Sequence, residues 1–108
     1  MKYILGFVSF SKIKNIQKLP QTNDYVVVKL TAKKSFKHYV AIILSKTEDG
    51  YVAKFMRKAM GSKFIFPSND DVDHIDVHEV ADILSQPTIN NRQQYSFNVD
   101  LNKYKYMN

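Results

Sequence analysis

Lys33, Lys34 and Lys37 surround Phe36 within five residues, and Lys54, Arg57, Lys58 and Lys63 follow on a later stretch that is itself rich in aromatic residues. Ammonium and guanidinium groups neutralise phosphates, and a ring set among them offers a flat face on which an unpaired base can stack. Tyr39 is the second ring placed to do so. The spacing therefore predicts a surface for a polyanion, DNA or RNA before others, with these seven cations as phosphate anchors and Phe36 and Tyr39 as stacking residues. The competing reading is that Phe36 and Tyr39 fill a core while the lysines keep a strand edge soluble.

His74 and His78 form a second candidate group, four residues apart among Asp70, Asp71, Asp73, Asp76 and Glu79. On a helix both imidazoles would share a face, the geometry that helical zinc motifs use. No HExxH accompanies them and no third histidine is nearby, so surface histidines in an acidic segment account for them equally well. We expect no metal and no other cofactor. Catalysis finds less support still. There is no Gly-rich phosphate loop or GxSxG elbow, and only three glycines are present. The adjacent Asp70 and Asp71 sit in a Ser-Asn-Asp-Asp turn, where carboxylates are ordinarily solvated. The expectation is a non-enzymatic binding module.

Charge is segregated along the chain. The net charge is +6, but residues 1–66 hold 13 Lys or Arg against Asp24, Glu48 and Asp49, and residues 67–108 hold three against seven acids. Such a field can steer a polyanion to one face. With 44% hydrophobic and 24% charged residues the composition is that of a globular domain, and 108 residues suffice for one core without covalent staples. The absence of cysteine removes disulfides, thiolate chemistry and Cys-based metal sites, and suits a reducing intracellular compartment, the nucleus included. Residues 3–10 form an apolar run, but Gly6 and Ser9 break it and Lys12 and Lys14 follow it, so a first strand is expected there rather than a signal peptide or a membrane span.

The elements that must position these groups read mainly as strands. In residues 25–31 (YVVVKLT), Val26, Val28 and Leu30 share one face and Tyr25, Val27 and Lys29 the other. A basic loop, AKKSFK, leads to a second β-branched run at 38–45. Asp49-Gly50 then supplies turn chemistry, through tolerance of positive φ, before a third strand at 51–57 whose Tyr51, Ala53 and Phe55 share a face. Residues 58–62 read as a loop and 63–66 as a short strand closed by Pro67. Residues 70–84 fit either a strand at 73–77 followed by a short helical turn at 78–83, or one amphipathic helix over the whole stretch. Residues 86–92 look like a linker, 94–101 alternate as a half-buried strand, and the last residues, 102–108, are expected to fray. Between the first strand and Tyr25, residues 11–24 fit a short helix or an irregular arm.

Taken in order, DYVVVKL (24–30), KHYVAIILS (37–45), DGYVAKF (49–55) and IDVHEVADIL (75–84) resemble the SH3-like small barrel of the Tudor and chromo type. With FIFP at 64–67 and RQQYSF at 92–97, the chain is also similar to poorly characterised invertebrate and transposon-associated domains. The resemblance implies a mostly β, five-stranded barrel over residues 24–84 with extra N- and C-terminal strands and one or two short helical turns, the whole chain making one domain. It also implies an aromatic cage for a methylated Lys or Arg, with Tyr25, Tyr39, Tyr51, Phe55, Phe64 and Phe66 as its candidates. The chain departs from that pattern in having no Trp, and its first loop offers only Phe36. A peptide, a methylated tail or another subunit is accordingly the alternative partner to nucleic acid, and no membrane partner is expected.

Overall fold

The computed structural model describes residues 19–108, so the expected strand at 3–10 and most of the arm at 11–24 lie outside the described residues. Nine strands are described: β1 Tyr25–Thr31, β2 Phe36–Lys46, β3 Gly50–Phe55, β4 Arg57–Lys58, β5 Phe64–Ile65, β6 Val72–Asp76, β7 Val80–Leu84, β8 Thr88–Ile89 and β9 Tyr95–Ser96. A 3₁₀ turn, Val77–Glu79, separates β6 from β7, and a second one, Leu101–Lys103, follows β9. The strands form two antiparallel sheets, one in the order β6-β3-β2-β1-β7 and a smaller one in the order β4-β5-β9-β8. The larger sheet does not close on itself, so the expected closed barrel is corrected to an open sheet covered by a second one. No helix among the described residues is long and apolar enough to cross a membrane.

The run Val26-Val27-Val28 explains this layering. A strand with only one buried face alternates apolar with polar residues, whereas three consecutive valines without exposure require cover on both faces. Val26 and Val28 join Ala41, Ile43, Tyr51, Ala53, Phe55 and Ile75 in one core. Val27 joins Tyr25, Val40, Met56, Phe64, Leu84 and Leu101 in the other. Full burial of a valine side chain contributes roughly 1.5–3 kcal/mol, so β1, held between β2 and β7 and sealed on both faces over Tyr25–Val28, anchors both cores. The chain changes sides at Phe55 and Met56, neighbours in sequence whose side chains enter opposite cores. From there it leaves the large sheet and builds the small one.

Residues 70–84 begin with the expected strand, but the helical turn expected at 78–83 is corrected: it is confined to 77–79 and gives way to β7, and the single-helix alternative is overturned. Val77–Glu79 make one 3₁₀ turn, closed by the backbone N–H of Asp76 donating to Glu79 Oε1 at 2.9 Å. β6 then pairs with β3 and β7 with β1. The expected loop at 32–37 is shorter than read, because β2 starts at Phe36. Residues 86–92, expected as a linker, contribute β8 and the turn to β9. The expected strand at 94–101 shrinks to Tyr95–Ser96. Val99 turns out to solvent, and the Asp100 carboxylate caps the second 3₁₀ turn by accepting from the Asn102 N–H.

Fraying of residues 102–108 is also corrected, for a definite reason. β3 departs at Met56, whose N–H still donates to the Val40 carbonyl, and this leaves the start of β2 without a neighbour on that side. The C-terminal segment fills the gap. The His38 N–H donates to the Tyr106 carbonyl, the Asn108 N–H donates to the His38 carbonyl, and His38 Nδ1 donates to the Lys105 carbonyl at 2.7 Å. Backbone groups at a buried strand edge must find partners, and here the last three residues supply them. The Tyr104 hydroxyl adds a tie to β7 by donating to Asp82 Oδ2 at 2.6 Å.

Gly50 is needed for closeness rather than for a positive φ, which among the described glycines belongs to Gly61 alone. A Cβ at position 50 would collide with the Ile75 carbonyl oxygen of β6. Gly50→Ala should therefore lower stability by about 2 kcal/mol or more through overpacking of backbone, read as a fall in urea midpoint at unchanged m-value. A second expectation concerns the Tyr104 hydroxyl. Burial, then the hydrogen bond and charge of Asp82, push its pKa up to about 12. Because the folded value lies above the unfolded one, near 10, the protonated phenol favours the fold below pH 10, and that contribution is lost as pH rises towards 12. The stability difference between wild type and Tyr104→Phe should shrink across that window.

Candidate functional site

The β1–β2 hairpin carries the densest group of predicted residues. Lys33 and Lys34 are exposed in its turn, where the Ala32 N–H donates to the Ser35 carbonyl at 2.8 Å, and Lys37 is exposed on β2. Phe36 is half-buried, with the Lys29 ammonium 4.4 Å from its ring centroid and the rings of His38 and Tyr106 edge-on at 5.5 and 5.3 Å. Lys34, Ser35, Phe36, Lys37 and Tyr106 line a shallow cleft of about 300 Å³. The turn thus brings Lys33, Lys34, Phe36 and Lys37 together as the sequence predicts.

Other predicted anchors lie elsewhere. Lys54 on β3 is 3.4 Å from the Asp70 carboxylate and 4.7 Å from the Phe66 ring centroid. Arg57 on β4 pairs with Asp71 at 2.5 Å and lies 5.3 Å over the Tyr39 ring. Both cations are therefore partnered by the acidic turn before β6. Lys58 and Lys63 belong to the second sheet and its hairpin, where Lys58 lines a separate cleft with Phe97, Asp100 and Leu101. Tyr39 turns away from the Phe36 side, because β2 alternates. It packs edge-on against Phe55 at 5.5 Å, beside the first core.

The six aromatic-cage candidates divide between the two faces of the large sheet. Tyr39, Tyr51 and Phe55 pack with the first core, and Tyr25, Phe64 and Phe66 with the second. A sheet separates the two groups, so the six rings do not converge. Tyr25 is buried against Tyr95 and Phe97, and burial, with Tyr95 adding, raises the pKa of its hydroxyl. Tyr39 and Phe55 do meet in one small cleft with Leu30, Asp71 and Asp73, but Arg57 lines it with them.

The two histidines fall on different elements, His74 on β6 and His78 in the 3₁₀ turn. Strand pairing sets His74 and Asp76 beside the β2–β3 turn, and ligand atoms of Asp49, His74 and Asp76 lie within 4.8 Å of one another. His74 Nε2 is 3.1 Å from Asp49 Oδ1 and 3.0 Å from Thr47 Oγ1, a set of contacts at an exposed turn.

Sequence reasoning missed Lys29, Lys105 and Tyr106. Lys29 shares the face of Val27, as its spacing predicts, but its partner across the sheet is set by register and not by local pattern. Register sets His38 opposite Lys29, and the ammonium extends over Phe36, two residues back on the same face. Lys105 and Tyr106 belong to NKYKYM (102–107), where Lys and Tyr alternate. This interleaving of cations with rings also marks AKKSFK, and it was the signal available. Comparison with protein-family models, curated proteins and solved structures gives no match for the chain.

The Arg57–Asp71 pair is about 40% exposed on each side, so solvent screens it and its worth is small. Asp71→Asn should cost less than about 1 kcal/mol in urea denaturation. A larger loss would mean that the carboxylate also fixes Arg57 over Tyr39 and holds the small cleft together.

Proposed function

We propose that the chain is a non-enzymatic module that binds nucleic acid through the tip of the β1–β2 hairpin and the C-terminal segment beside it. One observation carries this reading: carboxylates meet Lys54 and Arg57, while Lys29, Lys33, Lys34, Lys37 and Lys105 have no ion-pair partner among the described residues. Residues 1–18 contain no Asp or Glu to supply one, and add four lysines. Unpaired ammonium groups around two accessible rings suit phosphate neutralisation with stacking. A solvated surface serving only solubility would not need half-exposed aromatic residues among its lysines.

We read the larger sheet as an SH3-like arrangement of the Tudor type, opened rather than closed. The strand order β6-β3-β2-β1-β7 and the 3₁₀ turn between its last two strands support that reading. A cage for a methylated tail has less support. Arg57 lies over Tyr39 and bonds Asp71, which leaves the cleft shared by Tyr39 and Phe55 with a cation of the chain's own.

Binding of a fluorescent 12-nucleotide strand, followed by anisotropy at several salt concentrations, tests the proposal. Affinity should fall with salt at a slope of about −0.7 to −0.9 per phosphate neutralised, and Lys33→Gln/Lys34→Gln/Lys37→Gln should flatten the slope by about 2 to 3. The charge-reversed triple variant, Lys33→Glu/Lys34→Glu/Lys37→Glu, should bind roughly tenfold more weakly or worse at low salt. Undiminished binding by that variant would overturn the assignment.

A further inference from the structure

We infer that the ligand of the hairpin patch is single-stranded, and that an unpaired base stacks on Tyr106 beside Phe36; this rests on the nucleic-acid reading above. Tyr106 is a large ring that keeps 66% of its surface exposed. Its backbone has φ of 56°, in the left-handed region that non-glycine residues adopt only at a cost in free energy. Three hydrogen bonds to His38 hold the strand end there, from the backbone of residues 105, 106 and 108. His38 is itself 8% exposed and fixed in β2 by pairing with Lys29, so the support is rigid. A strained residue, firmly supported, presenting an apolar ring to water is an arrangement that packing alone does not call for.

The surroundings of the ring indicate what it meets. Lys34 and Lys37 line the same cleft, Lys105 is adjacent in sequence, and the Phe36 ring forms the neighbouring wall. A cleft of about 300 Å³ is at the lower end for small-ligand sites, which is the scale of one base and not of a duplex groove. In a duplex the base faces are already stacked on each other, and only phosphates, sugars and groove edges are offered. A single strand offers both phosphates to the lysines and a base face to the tyrosine. The shared chemistry is that of DNA and RNA strands alike.

The test uses the full chain with four probes: 12-nucleotide dT and U strands, and a 12-base-pair DNA and RNA duplex, by anisotropy at one fixed low salt. Single strands should bind at least tenfold more tightly than duplexes, and a preference between dT and U separates DNA strands from RNA strands. Tyr106→Ala should weaken single-strand binding by about 5- to 100-fold, the range for loss of one base–aromatic stack, and leave duplex binding within twofold. Tyr106→Trp, which keeps a stacking face and controls for a disturbed strand end, should bind single strands at least as well as wild type. Equal affinity for strands and duplexes, or an unaffected Tyr106→Ala, would overturn this inference while leaving phosphate-directed binding intact. No binding to any probe would overturn both.

Discussion

Burial of β1 on both faces is the constraint from which the rest of the molecule follows. Val26 and Val28 commit one side of the sheet to a core and Val27 commits the other, so neither face of this interior strand can be left to water. One core is built, among the described residues, from side chains of the five-stranded sheet itself. The other needs a cover, and the small sheet with the C-terminal segment is that cover. The crossing at Phe55 and Met56 is the local device that lets one chain build both layers. Without it the continuation past β3 would have stayed in the large sheet and left Val27 and Val40 wet.

The same crossing determines where charge can act. By ending β3 early it frees the start of β2, and the chain's last residues pair there, carrying Lys105 and Tyr106 to the flank of Phe36. The acids between β5 and β6 fall on the opposite side of β3 and meet Lys54 and Arg57. Segregation of charge along the sequence is thus partly undone and partly sharpened by folding. Two cations of the basic half are neutralised, and one from the acidic half joins the unpaired group.

The strands that carry the hairpin were legible because their patterns are local. YVVVKLT, HYVAIILS and the Asp-Gly turn announce a meander, and the assignment of Val26 and Val28 to one face and Val27 to the other is what the two cores require. Legibility ended where a residue's role depends on a distant neighbour. Gly50 reads as a turn residue with positive φ, yet its role is to let β6 approach, which is known only once Ile75 is opposite. Tyr39 reads as a stacking ring and is turned inward by the alternation of β2 against Phe55. Residues 102–108 read as a frayed end because no local pattern records a vacancy 67 residues earlier, at His38. Arg57 and Lys54 read as free anchors because ion pairing with Asp70 and Asp71 is likewise a matter of contact across the sheet.

The closure at His38 also orders the assembly of the molecule in time. A ribosome releases β1, β2 and β3 long before residues 106–108, so the meander can form while the beginning of β2 still lacks its neighbour. During that interval an unpaired edge is open to other chains, and the lysines flanking it are the groups that discourage such pairing. Residues 105–108 must therefore be made and in place before the domain is sealed, and the residues that seal it are the ones that bring Tyr106 to the surface.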